Sequence, residues 1–390
     1  MLLGLLLTAG GAATMLIWRT PDCDLLAIKG FILLLAIFLL LRQTEGGIPS
    51  AHLLPGFALL GIVAAGLAQV LFSATAVQGD TIRSLVDWVV AAAVYFCCLW
   101  VCEHDTLRSK LLTSTAIFAA VLCLLSTLVF FTSKGKILWI WPAAEPQVFG
   151  PFQSRNNYAS FTLLTMPLVA WRGLGGGLNW YYLSAAGIMA GSVMASGSRA
   201  GAGLLLLELL LMAILFRPAL RNSKPMVILA GLILLGTVVA GWTQLQGKLG
   251  DRDPFLYRRE MMHSTLRMIK ERPWSGFGLG TFPSVYPAFA EFDIGLRVNH
   301  AHNDWAELGA EAGLPGIACF LILAAYIIPM IRSQPWGIGI PLVFVHSLLD
   351  YPLQRLGVLF WFIALSAALA CSPRSDLQHK IRSANRGTDE

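Results

Sequence analysis

The sequence is short of charge. Only 13% of its 390 residues are Asp, Glu, Lys or Arg, whereas 56% are hydrophobic. Soluble domains carry about 25% charged residues, so a water-soluble fold is excluded and the chain is read as a polytopic membrane protein. Length then counts bilayer spans rather than soluble domains. Despite the net charge of +6, no basic block is interleaved with aromatics, so nucleic acid is not expected as a partner. The cysteines (Cys23, Cys97, Cys98, Cys102, Cys123, Cys319, Cys371) lie scattered, mostly inside apolar runs, and no pair has metal-ligand spacing. They are read as small buried hydrophobes, with neither a metal nor a cofactor implied. Met1 to Trp18 has no charge ahead of its apolar run. A cleaved signal would need a basic start, so this segment is taken as the first span.

What is present is a series of apolar runs. A bilayer core needs about 20 apolar residues per helix, and on that measure spans fall near 1–18, 25–41, 52–73, 85–102, 111–131 and 158–171. Six more fall near 179–195, 200–216, 225–242, 313–331, 336–349 and 357–371. The expected fold is all-α, with about 12 transmembrane helices. Arg42, Arg108, Lys110, Arg172, Arg217, Arg221, Lys224 and Arg332 fall in alternate short loops, which the positive-inside rule makes cytoplasmic. Both termini are then cytoplasmic, and the long loop 243–312 lies on the outer face. The expected organisation is an N-terminal bundle (1–144), helices with polar outer loops (145–242), the outer loop (243–312), the last helices (313–371) and a cytoplasmic tail (372–390).

Polar residues collect on one side of that topology. Asn299-His300-Ala301-His302-Asn303-Asp304 ends the long loop. Earlier in the same loop, Tyr257 to Arg272 predicts a basic amphipathic helix on the membrane surface, stopped by Pro273. Gly276, Gly278 and Gly280 predict a flexible turn after it. With neither a preceding strand nor a P-loop lysine, these glycines do not point to a nucleotide. Arg155-Asn156-Asn157 opens the sixth span, Ser196-Gly-Ser-Arg199-Ala-Gly201 joins the seventh and eighth, and His346, Ser347, Asp350, Tyr351 and Gln354 approach the same face. Histidine is the side chain whose ordinary titration suits a base near neutrality. Arginine stays charged and offers a fork matched to phosphate oxygens.

His302-Asn303, followed after nine residues by Gly313-Leu314-Pro315-Gly316, resembles the signature of the O-antigen ligase and polymerase superfamily of polytopic glycosyltransferases. Gly197-Ser198-Arg199-Ala200-Gly201 and the run from Arg258 through Pro273 to Gly276-Phe277-Gly278 are also similar, and the likeness extends over roughly 145–365. Met262 departs from it, standing where many members have tryptophan. The resemblance implies a fold of the GT-C kind in the bacterial inner membrane. It implies transfer of a glycan from undecaprenyl diphosphate to an acceptor hydroxyl at the periplasmic face, without nucleotide sugar. The acceptor would be lipid A–core or another lipid-linked glycan, with membrane lipids around the protein.

The same likeness maps the catalytic histidine to His302 and the diphosphate-binding arginines to Arg199 and Arg258, Arg259 being the alternative register. His300, which on a helix would face Asp304, is expected to support the site, as are Asn303, Arg155, His346 and Asp350. Glu311 is expected to brace the loop. The segment 346–353 resembles polymerase-like and pilin-modifying members, so a ligase leads and a polymerase follows. A bicarbonate-type transporter is a third reading; ionisable residues gathered at one face, with no internal repeat, speak against it. A non-catalytic partner in a polysaccharide assembly complex is a fourth.

Overall fold

The computed structural model describes residues 1–18, 23–42, 52–143, 148–174, 179–217, 231, 235, 256–291, 295 and 297–372. The span expected near 225–242, the start of the long loop and the C-terminal tail lie outside the described residues. The expected all-α class is what the fold shows. In chain order come α1 (Leu2–Met15), α2 (Cys23–Arg42), α3 (Leu54–Leu71), α4 (Gln78–Cys102) and α5 (Asp105–Thr132). Among the described residues the only strands are β1 (Lys136–Ile137) and β2 (Trp141–Pro142), a small antiparallel hairpin. Then follow α6 (Arg155–Leu174), α7 (Trp180–Ala195), α8 (Arg199–Leu215), α9 (Leu256–Glu271), α10 (Phe282–Val285), α11 (Asp304–Ile327), α12 (Gly339–His346) and α13 (Leu356–Ala370).

Four helices, α3, α4, α5 and Asp304–Arg332, are long and apolar enough to cross a membrane by length and composition, and four shorter apolar helices accompany them. On α5, Ile117, Val121, Leu124, Leu128 and Phe131 are exposed at alternating steps of four and three. That spacing makes one uninterrupted apolar stripe, which is at home against lipid and not against water. The larger of two buried apolar clusters among the described residues is one to which α4, α6 and α13 contribute almost continuous buried runs.

Three local differences from expectation matter for the site. First, the sixth helix starts earlier than its apolar run: Tyr158 N donates to Ser154 O at 3.1 Å, so Arg155, Asn156 and Asn157 form the first helical turn instead of a loop. Second, the span expected near 336–349 is a 3-10 turn, Pro335–Ile338, followed by the short α12. That is too little helix to cross a bilayer core alone.

Third, the glycine turn after α9 is buried and tightly bonded where flexibility was expected. Phe277 N and Gly278 N donate to Ala310 O and Glu311 O, each at 2.9 Å, and Ala76 N donates to Phe277 O at 2.7 Å. Gly276, Gly278 and Gly280 all have positive φ, and a β-carbon on Gly276 would overlap the Glu311 carbonyl. Gln69, deep in α3, clamps the same turn: its Nε2 donates to Ser275 O at 2.6 Å and Glu311 O at 2.7 Å, and its Oε1 accepts from Leu279 N at 3.0 Å. Gln69→Leu strands the Leu279 N–H and the Ser275 carbonyl. It should cost about 2–4 kcal/mol, read as a lower thermal midpoint of the detergent-purified protein.

The helix α11 is two helices joined at Gly313, whose φ of 69° and ψ of −168° are non-helical. The break makes Pro315 part of the opening turn of the second segment, where a missing N–H is harmless. The orphan Leu314 N–H at that start donates to Pro273 O at 2.7 Å.

Candidate functional site: an aspartate joining a histidine and an arginine

The residues just before α11 are not helical, and the helix starts because Asn303 caps it. The Asn303 side chain accepts from Ala306 N at 2.9 Å and donates through Nδ2 to Leu348 O at 2.9 Å. Ahead of the cap, the Glu307 carboxylate turns back and accepts from Ala301 N at 2.7 Å and from His300 Nδ1 at 2.9 Å. His300 therefore pairs with Glu307, not Asp304, because residues 297–303 are not helical. Asp304 is turned away into the core, where its Oδ2 accepts from Leu353 N at 3.0 Å. Between Ala301 and Asn303, His302 takes a left-handed backbone with φ of 52°. Such a conformation costs on the order of 1–3 kcal/mol, and the anchors on either side hold it.

That conformation lets His302 reach the loop after α12. Its Nδ1 lies 3.2 Å from Asp350 Oδ1. The Asp350 side chain is almost wholly buried, and its Oδ2 is 3.6 Å from Arg258 Nη2. Asn156 Nδ2 donates to the same Oδ2, and Tyr351 N donates to Oδ1 at 2.9 Å. Asn156 in turn accepts from Ser198 Oγ at 2.7 Å, and Ser198 caps α8 by accepting from Gly201 N at 3.0 Å. One carboxylate thus ties together the start of α6, the start of α8, α9 and the chain before α11.

Burial alone would raise the Asp350 pKa. The hydrogen bond and charge of His302, then the charges of Arg258 and His346, outweigh it and hold the carboxyl below the usual aspartate range. An ionised carboxylate only accepts, so when the His302 ring is neutral its proton sits on Nδ1 and the Nε2 lone pair is left for another partner. Tyr351 completes the surroundings: its ring stacks on His300 at 4.3 Å and meets His302 edge-on at 4.9 Å, with the Arg355 guanidinium 5.2 Å from its centroid. Burial raises the pKa of the Tyr351 hydroxyl, so it stays a neutral donor.

The two arginines left open by the sequence separate here. Arg258 is half-buried and faces Asp350, while Arg259 is exposed. Their neighbour Glu260 points into the loop core, accepting from Ser264 Oγ at 2.8 Å, from Glu291 N at 3.1 Å and from the Tyr286 hydroxyl. On α9, Met261 and Met268 are buried with Phe277, Phe282, Tyr286 and Ala310, so the apolar face expected on the membrane surface is instead largely covered by protein. Arg199 is the first residue of α8, next to Ser198, and Arg155 is the first of α6, next to Asn156. Glu311 accepts from Phe282 N at 3.1 Å, at the start of α10. His346 is fully buried one turn before Asp350, its Nδ1 2.7 Å from Ser160 Oγ.

Glu307 and Gln69 were not singled out by sequence reading. Glu307 had a visible signal, an acidic residue in the first turn after an Asn cap. Gln69 had only its isolation in an apolar run.

The fold and the site define an all-α membrane protein with a histidine and an arginine, both part-exposed, joined by a buried aspartate. Residues 184–321 match a family model described as O-antigen ligase. No curated protein matches the chain. The family implies an activity of the ligase or polymerase type on lipid-linked glycans. The matched range is narrower than the likeness read from the sequence: it takes in Arg199, Arg258, His300, His302, Asn303 and Glu311, and leaves out Arg155, Asn156, His346 and Asp350.

Proposed function

We propose that the protein transfers a glycan from a polyprenyl diphosphate, undecaprenyl diphosphate in a bacterial inner membrane, to an acceptor hydroxyl on the periplasmic face, both termini being cytoplasmic. The observation that carries this reading is the buried Asp350 bonded to His302 on one oxygen and paired with Arg258 on the other. With Nδ1–H held by Asp350, His302 Nε2 takes the proton of the acceptor hydroxyl as its oxygen bonds to the anomeric carbon. The bond from that carbon to the diphosphate oxygen breaks, and its electron pair leaves with the diphosphate. Arg258 and Arg199 offset the charge that gathers on the departing phosphate oxygens. Asp350 stabilises the imidazolium and fixes the ring; His300, Asn303 and Glu311 support the backbone that presents it. Neither a metal nor a cofactor has a part in this scheme.

Purified protein supplied with a lipid-linked oligosaccharide and lipid A–core should form the joined product; no transfer to any hydroxyl acceptor contradicts the reading. Arg258→Ala should lower the rate on the order of 100-fold, whereas Arg259→Ala should stay within about threefold. Equal losses would undo the assignment of Arg258.

A polymerase that extends lipid-linked repeats is the second reading. It is favoured by Asp350 and Tyr351, which belong to the polymerase-like segment 346–353 and lie inside the site. Deleting the gene separates the two. Unlinked polymer accumulating on the carrier identifies a ligase, and single repeats on the final acceptor identify a polymerase.

A further inference from the structure

A cavity of about 200 Å³ opens beside the site, and none of the mechanism above uses it. Its wall includes Trp18, Phe152, Gln153, Asn157, Tyr351 and Arg355. It is contributed by chain segments that meet only in the fold: the end of the first apolar segment, the entry to α6 and the turn before α13. We propose that this cavity is a saccharide subsite that seats a sugar ring of the acceptor next to His302.

Three observations point to a sugar. The part-exposed indole of Trp18 offers a flat apolar face suited to the C–H side of a pyranose, with Phe152 and Tyr351 making up the rest of the aromatic wall. Among them stand an amide, a second amide and a guanidinium, the groups that bond adjacent hydroxyls in pairs. Most telling is Asn157, which is 4% exposed and whose Oδ1 has no hydrogen-bond partner. A buried acceptor left unsatisfied costs about 1–3 kcal/mol, and a hydroxyl in the cavity would relieve it. Arg355 Nε is likewise buried without a partner. A phosphate suits the cavity less well: Arg355 is the one cation in the described wall, it already lies over the Tyr351 ring, and the Asn157 oxygen calls for a donor.

The place of the cavity suggests which sugar it holds. Tyr351 belongs both to its wall and to the surroundings of His302, 4.9 Å from that ring, whereas neither Arg258 nor Arg199 lines it. A ring seated there can offer a hydroxyl toward the base while the diphosphate stays with the arginines. Gln153 keeps the aromatic wall in place by donating from Nε2 to Trp18 O at 3.2 Å. The word acceptor rests on the transferase reading; sugar binding by the cavity does not.

The test is therefore binding without turnover. Saturation-transfer NMR on the purified full chain in detergent, with glucose, galactose, mannose, heptose and N-acetylglucosamine each alone, should show transfer to the ring protons of at least one sugar. That signal should fall at least about fivefold in Trp18→Ala and in Asn157→Leu and persist in Gly203→Ala, whose added methyl meets nothing. In the transfer assay, Trp18→Ala should raise the KM for acceptor about tenfold and leave the donor KM unchanged. No signal with any sugar on wild-type protein, or signals equal in both variants and wild type, overturns the subsite. So does saturation that passes to lipid headgroups alone. Sugar binding that depends on Trp18 and Asn157, found together with no glycan transfer, keeps the subsite and removes the transferase reading. Transfer that depends on His302, with acceptor KM unmoved by Trp18→Ala, does the reverse.

Discussion

Asp350→Ala is expected to reduce glycan transfer by 10²–10⁴-fold, the range over which a general base contributes, while the purified protein stays folded. The carboxylate does no chemistry itself. Its Oδ1 fixes the proton of His302 on Nδ1, and its Oδ2 holds Arg258 and Asn156. Removing it releases His302, Arg258 and the link from Asn156 to the cap of α8 together. Asp350→Asn keeps the shape but loses the charge and should recover little of the rate. A merely structural role would put the loss into stability instead, and the pH dependence separates the two contributions. The folded-state pKa of Asp350 is depressed, so its contribution to stability is present above the ordinary aspartate value and is lost as the pH falls through the depressed one. The gap in thermal midpoint between wild type and Asp350→Asn should therefore hold down to about pH 4 and narrow as the pH falls further. A gap that widens on acidification contradicts the ionised, bonded carboxylate.

Gly313→Ala is expected to destabilise the protein by about 3–5 kcal/mol, enough to prevent recovery of folded material. Two costs combine. The backbone at Gly313 lies in a region open essentially to glycine alone, worth about 1–3 kcal/mol for another residue. An added β-carbon would also sit 2.7 Å from Pro273 O and 2.6 Å from Trp274 O, and such overpacking adds about 1–3 kcal/mol. Because these neighbours are backbone atoms, they cannot turn aside. The matched control is Gly203→Ala in α8, where a β-carbon meets nothing within 4 Å and the helix should gain up to about 1 kcal/mol. Detergent thermal unfolding and size-exclusion profiles of the two variants make the comparison. Equal stability would mean that the break in α11 is not fixed by this packing.

These positions show where the sequence was legible. Gly313 and Pro315 were visible as part of a motif, and the reason for them, a helix broken against the turn at Pro273, is a tertiary contact. His302 stood out because polar residues cluster just before a helix start. Its partner lies 48 residues away, and nothing in the spacing joins the two; Asp350 could be placed only on the same face. Arg258 and Arg259 were inseparable because a basic amphipathic pattern carries both, and only the burial of Glu260 and Met261 orients the helix. Helix class followed from composition. Helix length did not, because the polar first turn of α6 is held by the bonds of Asn156 to Asp350 and Ser198, an environment no local window contains.

The measurement that tests the account most directly is glycan transfer by purified protein, wild type against His302→Ala, with lipid-linked donor and acceptor both saturating. The account predicts that His302→Ala keeps its fold and loses at least about 100-fold in kcat, while His300→Ala loses far less. Near-normal turnover by His302→Ala would contradict the central claim, and a loss confined to His300→Ala would move the base to His300.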